Sequence, residues 1–334
     1  MANNAFHPKD FKAWVILEGA SSALNGNTAA VDAPAITSAL LQLDVDSISF
    51  PSLNVTQFAG VRSGQGRVAN AVDFFHDNKN RATEVSLSGN LHTSTGHTLL
   101  LKNIMGSTAD PLVLAYNHTG SAGTYGVTSV DNATFTMVLA SPDVTDAYNI
   151  VMRGCMCTSY SISADMGTDG VMYKWSATIS TGLIPILSNT HVEVGAVYTG
   201  SPIGMSTLSV KKVNSIDAVL SSFSVNIDSP AVYSGVSSVG YQSFSRGEET
   251  SITATANLKL DSVSRDIIGN FDAGTVDAAD AFTMTQTSAS DYSIAMAQAV
   301  LTNAAYSEGD VMMLDVEMKA LAGTSGTVLS VDCA

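Results

Sequence analysis

Three cysteines and six histidines are the chain's candidates for thiolate or imidazole chemistry. Cys155 and Cys157 stand two apart in an alternating stretch, so both point to one face of a strand, a poor geometry for bridging each other. Cys333 lies next to the C-terminus. A structural zinc site takes about four ligands, and no histidine pair with ligand spacing lies near Cys155-Met156-Cys157. Free thiols in a reducing compartment are expected. His92 and His97 straddle a strand-to-helix junction instead of sharing one helical turn, so they make no metal pair. Asp165 and Asp169 with Gly167 and Gly170 offer oxygens for calcium, but an EF-hand loop needs ligands at more positions, and a hairpin turn is the simpler reading. Glu248 with Glu249, and Asp315 with Glu317, are paired carboxylates without an apolar surround that would raise a pKa for acid–base work. A solvated sheet face explains them.

The motifs of turnover are missing. No GxSxG elbow, HExxH pair, GxxxxGK[ST] loop or complete GxGxxG occurs. Gly64-Gln65-Gly66-Arg67 imitates a phosphate loop but no helix begins after it, so it reads as a flexible or contact loop. Retaining glycoside hydrolysis needs two carboxyl groups about 5 to 5.5 Å apart in a cleft, and nothing in the sequence places such a pair. The expectation is a protein that is not an enzyme, with no cofactor and no metal. The sequons at Asn54, Asn117 and Asn132 carry no meaning in a cytoplasmic product.

Composition narrows the class further. With 45% hydrophobic and 13% charged residues among 334, the chain is neither disordered nor highly charged, and it is long enough for two or three cores. Lysine and arginine number 15 against 30 aspartates and glutamates, a net charge of −15, which excludes a general phosphate-binding surface. No apolar run reaches the ~18–20 residues of a membrane helix, and the start MANNAFHPKDF lacks a basic-then-apolar leader. A soluble, non-exported product is expected, with no membrane partner.

The elements that must carry these residues repeat along the chain. TEVSLSGNL, residues 83–91, sets Val85, Leu87, Gly89 and Leu91 on one face. TSITATANL, residues 250–258, does the same with Ile252, Ala254, Ala256 and Leu258. Each strand is followed by a short helical pattern, near 95–105 with Thr95 as cap and near 262–271 with Ser262 near the cap position. Phe135-Thr136-Met137 recurs as Phe282-Thr283-Met284, and 148–152 (YNIVM) as 292–296 (YSIAM). Residues 169–182 match 310–323 in phase, with Val171, Tyr173, Trp175, Ala177 and Ile179 answering Met312, Leu314, Val316, Met318 and Ala320. Matches in one order and one inward phase indicate tandem duplication of a domain of roughly 140 residues.

The expected organisation is mainly β, two tandem β-sandwich or barrel-like domains with one short flanking helix each. Residues 1–45 form an N-terminal arm and first strand, in which Trp14 to Leu17 must pack somewhere. Residues 46–182 are the first copy, 183–215 a linker and connecting strand, and 216–334 the second copy. Each copy is expected to end in a hairpin whose turn lies at 167–170 or 308–310. Long loops at 57–81 and 228–249 read as functional or contact-making excursions.

Residues 154–182, GCMCTSYSISADMGTDGVMYKWSATISTG, resemble the hairpin of bacteriophage tail tube proteins of the long-tailed type. Residues 223–260, with Arg246-Gly247-Glu248 before a long alternating strand, resemble the second half of that fold. The likeness is one of pattern and order, and runs from about residue 44 to 322. It implies a virion structural protein, assembled in the host cytoplasm, that stacks with itself as rings around a lumen. It also implies contacts with tail terminator and distal tail or tape-measure proteins, and passage of double-stranded DNA without specific binding. Two copies per chain imply three chains in a pseudo-sixfold ring. Loop residues Arg62, Arg67, Phe74, Phe75, Tyr241, Phe244 and Arg246 are then candidates for gripping neighbouring subunits.

Duplex DNA carries a charge about every 1.7 Å of axis, so a basic lumen would trap it and an acidic one would not. Repulsion acts only within a screening length of about 8 Å. Glu84, Asp315 and Glu317 are the candidate lumen-facing residues, although alternation equally allows an outer solvated face. Competing readings are a head decoration or distal tail protein, a surface-fibre or S-layer subunit, and a glycan-binding or glycan-hydrolysing sandwich.

Overall fold

Alternation of apolar and polar residues, the pattern of strands buried on one face, governs most of the chain and becomes sheet. The computed structural model describes residues 6–18, 40–51, 56–60, 71, 74–77, 82–93, 95–106, 112–115, 134–142, 147–167, 172–188, 200–235, 240–241, 243–247, 249–277, 280–286, 292–307, 311–322 and 326–333. The protein is mainly β, with two α-helices among the described residues.

In chain order the first set of elements is β1 (Lys12–Leu17), β2 (Leu41–Leu43), β3 (Ser47–Ile48), β4 (Thr56–Ala59), β5 (Phe74–Asp77), β6 (Thr83–Asn90), α1 (Thr95–Met105), β7 (Leu112–Ala115), β8 (Phe135–Ala140), β9 (Asn149–Asp165), β10 (Lys174–Thr181) and β11 (Ile186–Ser188). The second is β12 (Leu208–Val213), β13 (Ile216–Asp217), β14 (Leu220–Asp228), β15 (Ala231–Ser234), β16 (Ser243–Arg246), β17 (Ser251–Lys259), α2 (Arg265–Asp272), β18 (Val276–Asp277), β19 (Phe282–Gln286), β20 (Tyr292–Met296), β21 (Gln298–Ser307), β22 (Met313–Leu321) and β23 (Thr327–Cys333).

The pairings repeat. β1 pairs with β8, β8 with β9, β9 with β10, β10 with β6, and β6 with β3. In the second set β12 pairs with β19, β19 with β20, β21 with β22, β22 with β17, and β17 with β14. Shorter partners follow suit: β2 on β1 and β13 on β12, β4 with β5 and β15 with β16, β11 on β9 and β23 on β20. Register is kept to the residue, for Gly89 faces Trp175 as Ala256 faces Val316. The amide of Glu18 donates to Thr134 O just as that of Asn214 donates to Ala281 O. The repeated scheme opens with β1 and β12, which lie in the stretches read from sequence as arm and connection.

One sequence match proves to be shifted. Met137 faces Met152, whereas Met284 faces Ile294, so Ile294 and not Met296 takes the place of Met152. A shift of two keeps every side chain on its face, which is why the pattern concealed it. The long loops are also more ordered than their composition suggests: each contains a hairpin, β4–β5 or β15–β16. The turns at 167–170 and 308–310 fall largely or wholly outside the described residues.

A thirteen-stranded sheet runs β18-β21-β22-β17-β14-β9-β10-β6-β3, with β1, β2, β8 and β11 attached around the early part of β9. A six-stranded sheet runs β13-β12-β19-β20-β23-β7. Strand β9 therefore serves two layers, bending at Gly154, whose φ of +59° is the left-handed region that glycine tolerates. In the second repeat the same path breaks at Ala297 into β20 and β21. Strand β7 leaves its own repeat and pairs with β23 of the other.

The apolar faces meet in one core spanning both repeats. Val85, Leu87, Leu91, Tyr173, Trp175, Ala177 and Ile179 are all buried, as are Ile252, Ala254, Ala256, Leu258, Leu314, Val316 and Met318. Met312, placed by phase in this set, is exposed because it precedes the start of β22. Trp14 and Val15 are buried where β1 lies along β8. Helix α1 is buried through Leu100, Leu101, Ile104 and Met105, whereas α2 buries only Ile267. The start of α2 is held by Asp261, not Ser262: its carboxylate accepts from the amides of Val263 and Ser264, both at 2.9 Å, and Ser264 Oγ accepts from the Asp261 amide at 2.8 Å. Those hydrogen bonds, chiefly that from the Ser264 amide, hold the Asp261 carboxyl below its usual range.

Candidate functional site

The seam between the repeats is itself a strand pair. Strand β14 lies antiparallel along β9, from Ser222 opposite Asp165 to Asp228 opposite Ser159, so the two repeats share one continuous sheet. Beneath it the rings of Tyr173 and Phe223 meet edge to face at 5.2 Å, an arrangement that contributes about 0.5–1.5 kcal/mol beyond the area buried.

Because strand side chains alternate, the face opposite this core is polar from β3 across the seam to β22, and turns apolar beyond Lys319 at Val300 and Val276. One row across it reads Asn90, Lys174, Ser163, Ser224, Thr255, Glu317, Asn303, each facing the next on the neighbouring strand. Another reads Ser47, Ser88, Ser176, Ser161, Asn226, Thr253, Lys319. Glu84 faces Ser180 on the same side. Asp315 accepts a hydrogen bond from Asn257 Nδ2 at 2.5 Å. The three candidate lumen residues therefore occupy one surface, in which serine, threonine and asparagine predominate and Lys174, Lys259 and Lys319 accompany the carboxylates. Lys319 pairs with Glu249 at 2.9 Å.

The hairpin β15–β16 clasps the first repeat beside the seam. Phe244 is buried with Met156 and Leu183. Tyr233 stacks on Tyr241 with ring centres 5.6 Å apart and donates its hydroxyl to Ser180 Oγ at 2.7 Å. The Tyr241 amide donates to Gly182 O. A Cβ at Gly182 would stand 2.7 Å from Tyr233 and 2.8 Å from Phe244, so only glycine fits. Arg246 donates to Cys157 O at 2.6 Å and to Ser229 O, Asn103 O and Asn103 Oδ1 at 2.9 Å. Burial pulls its guanidinium down to about 10 and pushes the Cys157 thiol up to about 12. Tyr241, Phe244 and Arg246, candidates for gripping a neighbouring subunit, are thus engaged by their own chain. Phe74 sits half-exposed on β5, and Phe75 faces Phe58 across the β4–β5 hairpin. Arg62 and Arg67 lie outside the described residues.

His97 is buried under Trp175, ring centres 4.5 Å apart, and its Nδ1 lies 3.3 Å from the Tyr160 hydroxyl. Desolvation pulls its pKa down to about 3, with His92 adding a smaller push in the same direction. His92 Nδ1 lies 2.7 Å from Asp44 Oδ2, and burial raises the Asp44 carboxyl against the opposing pull of His92. Among the described residues no group of three His, Cys, Asp or Glu could hold a metal ion, and no helix is long and apolar enough to cross a membrane. Asp165 Oδ1 accepts from the Gly167 amide at 2.7 Å.

Neither the seam nor the continuity of the polar rows across it is legible in the sequence alone. The sequence signal for them is the serine or threonine at alternate positions in 159–163, 222–224 and 251–255. Comparison with known proteins found no matching family model and no curated protein of significant similarity.

Proposed function

We propose that this chain is a structural subunit of a bacteriophage tail tube, assembling as stacked trimeric, pseudo-sixfold rings around a lumen that conducts DNA from virion to host. The observation that carries this reading is the polar face that crosses the seam without interruption. Two repeats joined edge to edge already make a curved-sheet building block, because strands twist and a long sheet closes more readily than it stays flat. Hydroxyl and amide groups hydrate such a wall without holding phosphates, and the chain's net charge of −15 opposes adsorption of DNA. Association with terminator, distal tail or tape-measure proteins at the tube's ends belongs to the same reading. Catalysis has no part in it.

Negative-stain microscopy of the purified protein is the test. Hollow cylinders or three-chain rings are expected. Small globular oligomers would favour a decoration protein, flat lattices a surface-layer subunit, and either result overturns the tube reading.

A further inference from the structure

The long sheet has two ends, and the repeated pairing says what each lacks. Strand β14 is held on both sides, by β17 and by β9, whereas its counterpart β3 is held by β6 alone among the described strands. Strand β9 carries β14 along residues 159–165. In its counterpart β21, residues 301–307 pair with β22 on one side, and on the other side β18 covers only Val300 and Ala299. One end of the sheet is therefore the receiving half of a seam and the other end is the inserting half.

We infer that β3 of one copy pairs antiparallel with β21 of a second copy in the register of the β9–β14 seam, setting Ser47 opposite Ala305 and Ile48 opposite Ala304 of the second copy. The inference rests on the reading that this chain assembles with itself. The register follows from equivalent positions. Ser47 faces Ser88 as Ser224 faces Thr255, and Ala305 faces Asp315 as Ser163 faces Lys174. Ser224 faces Ser163 within the chain, so Ser47 faces Ala305 between chains.

The chemistry of the β21 edge agrees. Proteins blunt exposed edges with charge or proline, yet residues 301–307 (LTNAAYS) contain neither. Tyr306 is 59% exposed and Val276 48%, and both border a groove of about 860 Å³ beside α2. In the internal seam the bulky Phe223 faces the small Ala164. The same register puts Tyr306 of β21 opposite Asp46, again one large side chain against a smaller one, with the ring on the other strand. A contact between two different surfaces of one chain repeats head to tail and closes into a ring when the rotation allows.

Paired cysteines read the register directly, since opposed strand residues bring their Cβ atoms to about 4.5–5.5 Å. A Ser47→Cys/Ala305→Cys variant, oxidised after assembly, is expected to give a reducible ladder of chain multiples on denaturing gels. A Ser49→Cys/Ala305→Cys variant should cross-link several-fold less. Tyr306→Asp should abolish assembly in sedimentation while leaving circular dichroism unchanged. In the unaltered protein, amide exchange over 301–307 should slow on assembly. Assembled particles with no ladder and no slowing over 301–307 overturn this pairing while leaving the tube reading intact. Unaltered protein that never assembles overturns both.

Discussion

Arg246 reaches across the seam to Asn103 and donates to both its backbone carbonyl and its side-chain oxygen at 2.9 Å. Through Cys157 O as well it ties a hairpin of one repeat to a strand and a helix of the other, while its bond to Ser229 O anchors it within its own repeat. Arg246→Met should destabilise the chain by about 2–4 kcal/mol, the cost of orphaning part-buried acceptors of a charged donor. Arg246→Lys should recover less than half of that, because an ammonium cannot address separated oxygens with a planar fork. Denaturant midpoints measure both.

Two glycines should respond in opposite directions. A Cβ at Gly89 would lie 2.7 Å from Asp44 O and 3.3 Å from Trp175 Nε1, so Gly89→Ala must push backbone apart and cost about 1–3 kcal/mol. A Cβ at Gly269, in α2, meets nothing within 4 Å. Gly269→Ala should stabilise the protein by about 0.5–1 kcal/mol through helix propensity and a less flexible unfolded chain. Thermal melts of the two variants separate the cases.

His97 makes stability depend on pH. Its folded pKa, about 3, lies below the ordinary 6.5, so the unfolded chain takes up a proton that the folded one refuses. Its contribution is therefore complete above pH 6.5 and declines as pH falls toward 3. The slope approaches about 1.4 kcal/mol per unit, so lowering pH from 7 to 5 should cost about 2 kcal/mol. Urea titrations of the unaltered protein and of His97→Gln should differ in slope over that window; parallel curves would refute the assignment.

Cys155 and Cys157 should be silent toward thiol reagents. Both are fully buried, and burial pushes Cys155 well up and Cys157 to about 12, so neither presents a thiolate at neutral pH. Native protein is expected to withhold at least these two thiols from an aromatic disulfide reagent, and denatured protein to release them.

A lysine row would convert the polar face into a trap. Ser163, Ser224 and Thr255 face one another across three strands. The triple variant carrying lysine at these positions should retain duplex DNA with a salt dependence steepening by about 0.9 per phosphate contacted, where the unaltered protein retains none. Filter binding across a salt series measures this, and equal retention by both proteins would remove the face from any role toward DNA.

Much of this architecture was readable from the residues. Val85, Leu87 and Leu91, and Ile252 and Leu258, alternate cleanly because each strand has one wet side, and such a period survives divergence even where identities do not. The shift in matching 148–152 with 292–296 arose from the same source, since alternation is blind to a slip of two. What pattern alone could not reveal was distance in space: nothing in Ser222 or Asp165 announces that they face each other across the seam. Arg246 was noticed as a loop residue, but its partners, Asn103 and Cys157, are far away in sequence and carry no motif. The start of α2, expected near Ser262, is instead secured by Asp261 and Ser264, which bracket that residue and satisfy each other reciprocally.

Fusing the repeats into one polypeptide has a kinetic consequence. The β9–β14 joint forms as the chain folds, at a local concentration fixed by the connecting segment, whatever the amount of protein present. In a self-assembling system only the alternate joints then need collisions between molecules. A closed ring of six lobes then has three joints between molecules in place of six, and an incomplete ring has fewer ways to fall apart.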